Sequence, residues 1–480
     1  MSGHSNKHFH GNTLAIILAL LLLLFQSLTI ALHAAPQTGW AQVEKILSQI
    51  VSPKFPARDF NVATYGAIGD GKTDCTEAFR KAIAACHDAG GGRVVVPAGT
   101  YSTGAIHLKS NVNLRVAKNA TILFSQDTRK YLPVVFTRFE GVECMNYSPF
   151  IYAYEQENIA ITGSGTFDGN AGVEAWWLWK GKKEYGWKEG APNGEADVAK
   201  LFQMAEDGVP VAQRIFGEGH FIRPNFIQPY KCKNVLIDSV TLKRSPMWEI
   251  HPVLCENVTV SNVTVITHGP NNDGCNPESS KNVLIKNCYF DTGDDCIAIK
   301  SGRNADGRRL NVPSENIVIQ GCRMKDGHGG VVIGSEASGS VRNVFAEDCV
   351  MDSPNLERAL RIKTNSRRGG VIENIFMRNV TVGEVSDAVI WVDFFYGEGD
   401  SGPHAPLVRN IYVSNVTSKK SNYALFLKAY ERAPISNLKI ENCRFDGVAR
   451  GNVLNHYREL KMKDVYINGE LQKQDSEARR

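Results

Sequence analysis

The chain has 480 residues, 43% hydrophobic and 22% charged, with a formal net charge of +4. This is the composition of an ordinary soluble protein, long enough for a large core and for more than one domain. So small a charge suits an anionic substrate and excludes no class of ligand.

Residues 13–32, TLAIILALLLLLFQSLTIAL, form an apolar run behind a polar start containing Lys7, and Ala34 and Ala35 follow. That layout predicts a secretory signal over 1–34, cleaved near Ala34, and hence a secreted or periplasmic protein. A retained membrane anchor is the rival, since the run approaches spanning length. Gln26, Ser27 and Thr29 dilute its second half and favour cleavage. A lead-in over 35–58 follows, then one domain over 59–470 and a polar tail over 471–480.

Near the start of that domain, TDCTEAFRKAIAACHDAGGG (73–92) has helical character. Asp74 and Glu77 predict a capping box, Phe79, Ala82, Ile83 and Cys86 an apolar stripe, and Gly90 a stop. The stretch from the early coil at 157 to residue 233 is irregular and carries Trp176, Trp177, Trp179 and Trp187. It reads as long loops laid against a larger body, with the tryptophans as packing residues. Eleven cysteines is an odd number, and Cys75 and Cys86 on one helix would lie about 16 Å apart, beyond disulfide reach. Buried thiols are therefore expected.

From residue 233 a ten-residue phrase recurs: KNVLIDSVTL, ENVTVSNVTV, KNVLIKNCYF, ENIVIQGCRM, RNVFAEDCVM, ENIFMRNVTV, RNIYVSNVTS and SNLKIENCRF. Its first Asn falls at 234, 257, 282, 316, 343, 374, 410 and 437, and an earlier relative begins at 157. Repetition on this scale signals a solenoid. Apolar residues alternate within each phrase, which is strand periodicity. Counted from that first Asn, the sixth residue is Asn, Asp or Gly in every phrase but one (Ser239), and those residues tolerate a left-handed bend. The expected unit is strand, bend, strand, stacked as an all-β, right-handed parallel β-helix, with the helix over 73–92 capping one end. A leucine-rich horseshoe would need Leu at fixed places and helical returns, which are missing.

A second strand aligns across the repeats as DDCIAIKS (294), HGGVVIGS (328), RALRIKTN (358), AVIWVDFF (388) and YALFLKAY (423), with DGCNPESS (273) just before. Matching residues of successive coils lie about 4.8 Å apart. Asp273, Asp294 and Asp295 should therefore converge, with His328 one coil beyond Asp294. Alternation points Leu360 and Ile362 inward and puts Arg361 and Lys363 on the outer face. Lys300 matches Lys363 two coils earlier. An isolated Asp-Asp pair is by default a surface turn, and His328 alone a solvated histidine. Coincidence of register over four coils favours a site instead. Paired carboxylates with nearby cations suit hydrolysis of an acidic polysaccharide: one carboxyl protonates the leaving oxygen and another activates water. Crowding raises at least one of their pKa values, and the cations can hold a sugar carboxylate.

The segments NNDG (271–274), GDDC (293–296), GHG (327–329) and RIK (361–363), in this order, resemble the four motifs of glycoside hydrolase family 28, the polygalacturonases. The segment DFNVATYGAIGDGKTDCTEAF (59–79) resembles the opening of the same pectin-lyase-like β-helix superfamily, so the likeness covers about 59–470. It implies inverting hydrolysis of α-1,4-linked galacturonate. Asp294 would be the general acid, Asp273 and Asp295 would hold and activate water, and His328 would support the acid. Asn271 would shape the site, while Arg361 and Lys363 would bind the carboxylate on the leaving-group side. Lys300 and Tyr396 are further candidates for substrate binding, although the VDFFY context leaves the register of Tyr396 open. Asn272 replaces the usual Thr of the first motif. The long loops of 169–232 resemble those of exo-acting members. No cofactor, no metal and no nucleic-acid partner is implied; the expected partner is a pectic polysaccharide or oligogalacturonide, met by a monomer free of the membrane after cleavage. The rivals are a related rhamnogalacturonan or xylogalacturonan hydrolase, a pectate lyase, and a non-catalytic polysaccharide-binding β-helix.

Overall fold

A computed structural model describes residues 39–472 of the chain. The expected leader over 1–34 and residues 473–480 of the tail lie outside them. The chain divides into two compact units, Met1–Lys45 and Ile46–Arg480. The described part of the first is the 3-10 turn Gly39–Gln42 and the opening of a helix, Val43–Gln49. Among the described residues no helix is long and apolar enough to cross a membrane.

The second unit is a parallel β-helix. The recurring phrase forms strands Lys233–Asp238, Glu256–Ser261, Lys281–Lys286, Ser314–Gln320 and Val341–Glu347, then longer strands beginning at Val371, Leu407 and Ile435. Each pairs in parallel with the next in the register read from the repeat, for example Val258 with Val283 and Ile317 with Val344. A second sheet stacks Ile297–Ile299, Val331–Gly334, Arg358–Lys363, Ala388–Asp393, Tyr423–Lys428 and Val453–Asn455. Its inward column Ile299, Ile333, Ile362, Val392 and Leu427 is fully buried. Burying each such side chain is worth about 1.5–3 kcal/mol, which makes this column a main source of stability.

The corners explain the asparagines. The sixth residue from the first Asn is left-handed in every coil, and Ser239 at φ 62° takes the same conformation as Asn262 at 55°. The first Asn of each phrase is left-handed too, with φ between 54° and 60° from Asn234 to Asn437. Short amide side chains tolerate that region and can bond along the stack. Thus Asn316 donates to Asn282 at 3.0 Å, Asn343 to Asn316 at 3.1 Å and Asn374 to Asn343 at 3.1 Å.

Two expectations need correction. The helix runs Thr76–Asp88 and buries Phe79, Ala82, Ile83 and Cys86 as anticipated, but no capping box forms. Asp74 accepts from the Thr76 N–H at 3.1 Å and pairs with Lys130, which leaves Cys75 as the N-cap. Glu77 then falls one residue short of the box position and binds Arg80 instead. Second, 169–232 is more than loops, because it contains the helix Glu195–Glu206. Leu201 and Ala205 of that helix cluster with Phe139, Cys144, Phe216, Ile222 and Trp248. An antiparallel hairpin, Val135–Phe139 with Val142–Asn146, also stands out from the parallel coils. All eleven cysteines are buried thiols. Trp176 packs on Tyr131, Phe150 and Trp179, as expected of loop-packing residues.

Candidate active site

Register brings the aspartates together. Cys275 pairs with Ile297, so Asp273 stands one coil before Asp295, and the His328 N–H donates to the Asp294 carbonyl at 3.1 Å. One oxygen each from Asp273, Asp294 and Asp295 lie within 4.8 Å of one another. Val332 pairs with Arg361 and Gly334 with Lys363, which sets both cations on the next coil.

The three carboxylates have different surroundings. Asp295 is fully buried and spends both oxygens on cations: Arg361 at 3.0 Å to Oδ1 and Lys363 at 2.6 Å to Oδ2. Burial opposes its ionisation, but Lys363 and Arg361 outweigh it and hold the group below the usual carboxylate range. Asp294 accepts from His328 Nδ1 at 2.9 Å and from the Asp295 N–H at 2.9 Å, both on Oδ1. Here too burial is outweighed, by the His328 hydrogen bond and charge, and the group is held low. The same bond lifts His328 to about 9 against its own burial. The pair thus shares one proton at neutral pH. Asp273 differs: burial first, and then the Asp294 charge, push it well up despite Lys300 at 3.7 Å. Asn276 donates to its Oδ2 at 2.9 Å, and Oδ1 remains open.

Arg361, Lys363 and Lys300 supply the counter-charge that a bound divalent ion would otherwise bring to this acidic cluster. The donor set therefore suits an anionic or sugar ligand better than a metal. Among the described residues the buried Nε of Arg361 has no hydrogen-bond partner, so part of its guanidinium fork remains unused. Tyr396 sits beside both cations, its ring 5.6 Å from Arg361 and 5.1 Å from Lys363. Lys300 Nζ lies 3.0 Å from Glu336 and 4.5 Å from the Trp248 ring centre. Asn271 accepts from Arg223 at 2.8 Å. Asn272, in place of the usual Thr, points away from the ligand space and is a framework residue. It accepts from the Gly269 N–H at 2.7 Å and donates to Ser245 and Met247 carbonyls at 3.1 and 3.0 Å.

These groups line a cavity of about 560 Å³ with Asp273, Asp294, Asn271, Lys300, Lys363 and Tyr396 on its wall. All nine residues singled out from the sequence belong to this one cluster; Asp295, His328 and Arg361 join it through Asp294 and Lys363. Sequence reasoning missed Trp248, Arg303, Glu336, Arg368 and Glu398, which complete the wall. Trp248 was within reach: Ile250 pairs with Cys275, so the register that joined Asp273 to Asp295 puts Trp248 one coil before Asp273. The others come from loops beyond the strand ends, where no period applies.

A β-helix with this carboxylate and cation cluster in a cavity defines a polysaccharide-cleaving enzyme of the glycoside hydrolase type. Residues 217–464 match the model of "Glycosyl hydrolases family 28", and 60–126 match "Rhamnogalacturonase A/epimerase, pectate lyase-like". The chain belongs to glycosyl hydrolase family 28 and acts on pectic polysaccharide. It is 48% identical to a hyperthermoactive exopolygalacturonase from Thermotoga maritima, with a TM-score of 0.88 over 90% of this chain and 97% of that one. It is 29% identical to a probable polygalacturonase of Vitis vinifera, over 80% of this chain and 74% of the relative. An exo-poly-alpha-D-galacturonosidase of Dickeya chrysanthemi is also 29% identical, over 71% of this chain; the match spans 58% of that longer protein.

Proposed function

We propose that this protein is an exo-acting galacturonan hydrolase, releasing galacturonate from the ends of pectic chains with inversion. The observation that carries the reading is the Asp294–His328 pair. It holds a proton beside a carboxylate whose Oδ2 no hydrogen bond occupies, in a cavity that also presents Lys363 and Tyr396. Asp294, drawing on the imidazolium, protonates the glycosidic oxygen. Asp273 and Asp295 hold the attacking water from the opposite side. With both oxygens of Asp295 bound to cations and Oδ1 of Asp273 open, Asp273 takes the proton from that water. The remaining donors of Arg361 and Lys363 bind the galacturonate carboxylate on the leaving-group side, with Tyr396 against the sugar. Lys300 braces Asp273, and Asn271 shapes the wall.

The oxygens within 4.8 Å are closer than the ~6.5–9.5 Å usual between the carboxyls of inverting enzymes. A retaining route would need a carboxylate free to attack the anomeric carbon. Asp295 is pinned by two cations, which weakens it as a nucleophile. The exo reading draws on the hairpin and the helical insertion beside the cavity and on the exopolygalacturonase relatives. The apolar run over 13–32 supports reading this activity as exported from the cytoplasm, in a monomer free of the membrane after cleavage of that segment. The domain so exported is the β-helix of 59–470.

Polygalacturonate should yield galacturonate alone from the earliest time points, with the β-anomer first by proton NMR. Rhamnogalacturonan should be left largely uncut. An early ladder of oligomers would overturn the exo assignment, and the α-anomer would overturn inversion. Activity abolished by EDTA, with an ultraviolet-absorbing unsaturated product, would replace hydrolysis by a lyase reaction.

A further inference from the structure

Two cations beside the site have no anionic partner among the described residues. Arg223 is almost wholly buried, and its guanidinium bonds only neutral acceptors: the carbonyls of Pro246 and Pro270 at 2.7 and 2.6 Å and the side chain of Asn271 at 2.8 Å. Lys180 is half-buried and has neither an ion pair nor a hydrogen bond, whereas its neighbour Lys182 faces Glu184 at 3.8 Å. Both line a second cavity of about 400 Å³ together with Trp179, Phe202 and Phe221. Glu140, at the tip of the hairpin, lines this cavity and the catalytic one alike. Glu140 is already engaged by Arg303 at 3.6 Å, and Glu195 lies exposed at the rim.

A desolvated cation without a counter-ion is costly, and a cluster of two that persists calls for a ligand. The cost appears as lowered proton affinity: burial brings Arg223 down to about 10 and also lowers Lys180, although the charges of Glu140 and Asp294, neither within ion-pair distance, oppose the shift in both. The contrast with Arg361 and Lys363 is sharp, because Asp295 already neutralises those two. Lys180 is also firmly placed. It ends the 3-10 turn Trp177–Lys180, where Trp177 donates to the Ser245 carbonyl at 2.8 Å and Trp179 packs on Trp176 and Phe221.

Coil order assigns the side. Arg223 hangs on residues 246, 270 and 271, from the coils before Asp294, while Arg361 and Lys363 come from the coil after His328. The cation pairs therefore flank the acid from opposite directions along the stack. We propose that Lys180 and Arg223 bind the carboxylate of the galacturonate on the glycone side of the scissile bond, selecting an acidic terminal sugar. The proposal rests on the galacturonan reading of the cleft, and it gives the second cavity a task that the catalytic residues do not share.

The test uses Lys180→Met in the full protein, with trigalacturonate as substrate and free galacturonate and galactose as competing ligands. The expected result is a KM about tenfold higher with kcat changed less than threefold, and galacturonate inhibition weakened by a similar factor. Lys180→Arg should recover most of the loss, and galactose, which has no carboxylate, should bind as weakly to the variant as to wild type. An unchanged KM and inhibition constant in Lys180→Met would overturn the proposal, as would equal weakening toward galacturonate and galactose. Galacturonate binding by tryptophan fluorescence reads the same difference without turnover. Wild-type protein that bound galacturonate through Lys180 yet cut no galacturonan would refute the activity and leave this assignment standing.

Discussion

Asp294→Asn is expected to lower kcat on polygalacturonate by about 10²–10⁴-fold with little change in KM, the effect of removing a general acid. The substitution keeps the size of the side chain and can still accept from the Asp295 N–H. Loss of turnover with binding intact would therefore report proton delivery, measured as steady-state kinetics beside oligogalacturonide titration. Turnover within threefold of wild type would remove Asp294 from the role and make a binding β-helix the better account. The partner substitution His328→Gln separates the proton store from its outlet. His328 is lifted to about 9 by Asp294, so the wild-type pair keeps its proton below that pH and loses it above. The basic limb of kcat/KM should accordingly lie near pH 9. In His328→Gln the proton must sit on Asp294 itself, and the limb should move toward the ordinary carboxylate value of ~4. A limb that stayed in place would show that another group governs it. The acid limb should report Asp273, which must be ionised to accept a proton from water.

The largest effect on stability is expected from Arg138, a fully buried guanidinium beside the turn of the hairpin. It lies 3.2 Å from Glu278, which also accepts from His251 at 2.7 Å and from the Gly302 N–H at 3.0 Å. Gln228 donates to the other ring nitrogen of His251 at 2.9 Å, so that imidazole is neutral and donates to Glu278. Arg138 is thus the nearest full positive charge to Glu278. Arg138→Met should cost about 3–5 kcal/mol in unfolding free energy, because it strands a carboxylate in the interior. Burial opposes the ionisation of Glu278, but Arg138 and His251 hold its pKa below the ordinary 4.5. A depressed acid contributes stability above its unfolded value and loses it as pH falls through the folded one. The gap between wild type and variant should therefore be full at neutral pH and narrow below about 4.5. Adding Glu278→Gln to Arg138→Met should restore part of the loss. Denaturant titration of all three proteins at pH 7 and pH 4 checks the set; a gap that widened in acid would contradict it.

The repeat made the coil register legible, and the register alone gathered Asp273, Asp294, Asp295, His328, Arg361 and Lys363. Period-two patterning is a backbone property, so it survives translation into space. What it could not convey was who holds whom. Arg361 and Lys363 were expected to await a sugar carboxylate, and both also clamp Asp295, a contact between coils two apart set by side-chain length. The capping box at Asp74 failed for a similar reason: Lys130, 56 residues away, competes for the carboxylate. The helix Glu195–Glu206 escaped because Gly194, with no capping side-chain bond, marks its start weakly. Arg303, Arg368 and Glu398 stand on loops without a period, and only the folded chain shows that they meet.

The left-handed asparagines carry one further consequence. Successive first-position residues are separated by 23 to 36 residues, yet the strands they introduce keep a common register. Length is therefore absorbed between corners and never across them. An insertion outside a corner can reshape the mouth of the cleft while leaving the spacing of the aspartates untouched. Reaction chemistry and choice of chain end are in this sense inherited on separate parts of the same thread, and loop exchange between corners is the natural route to a new cleavage pattern.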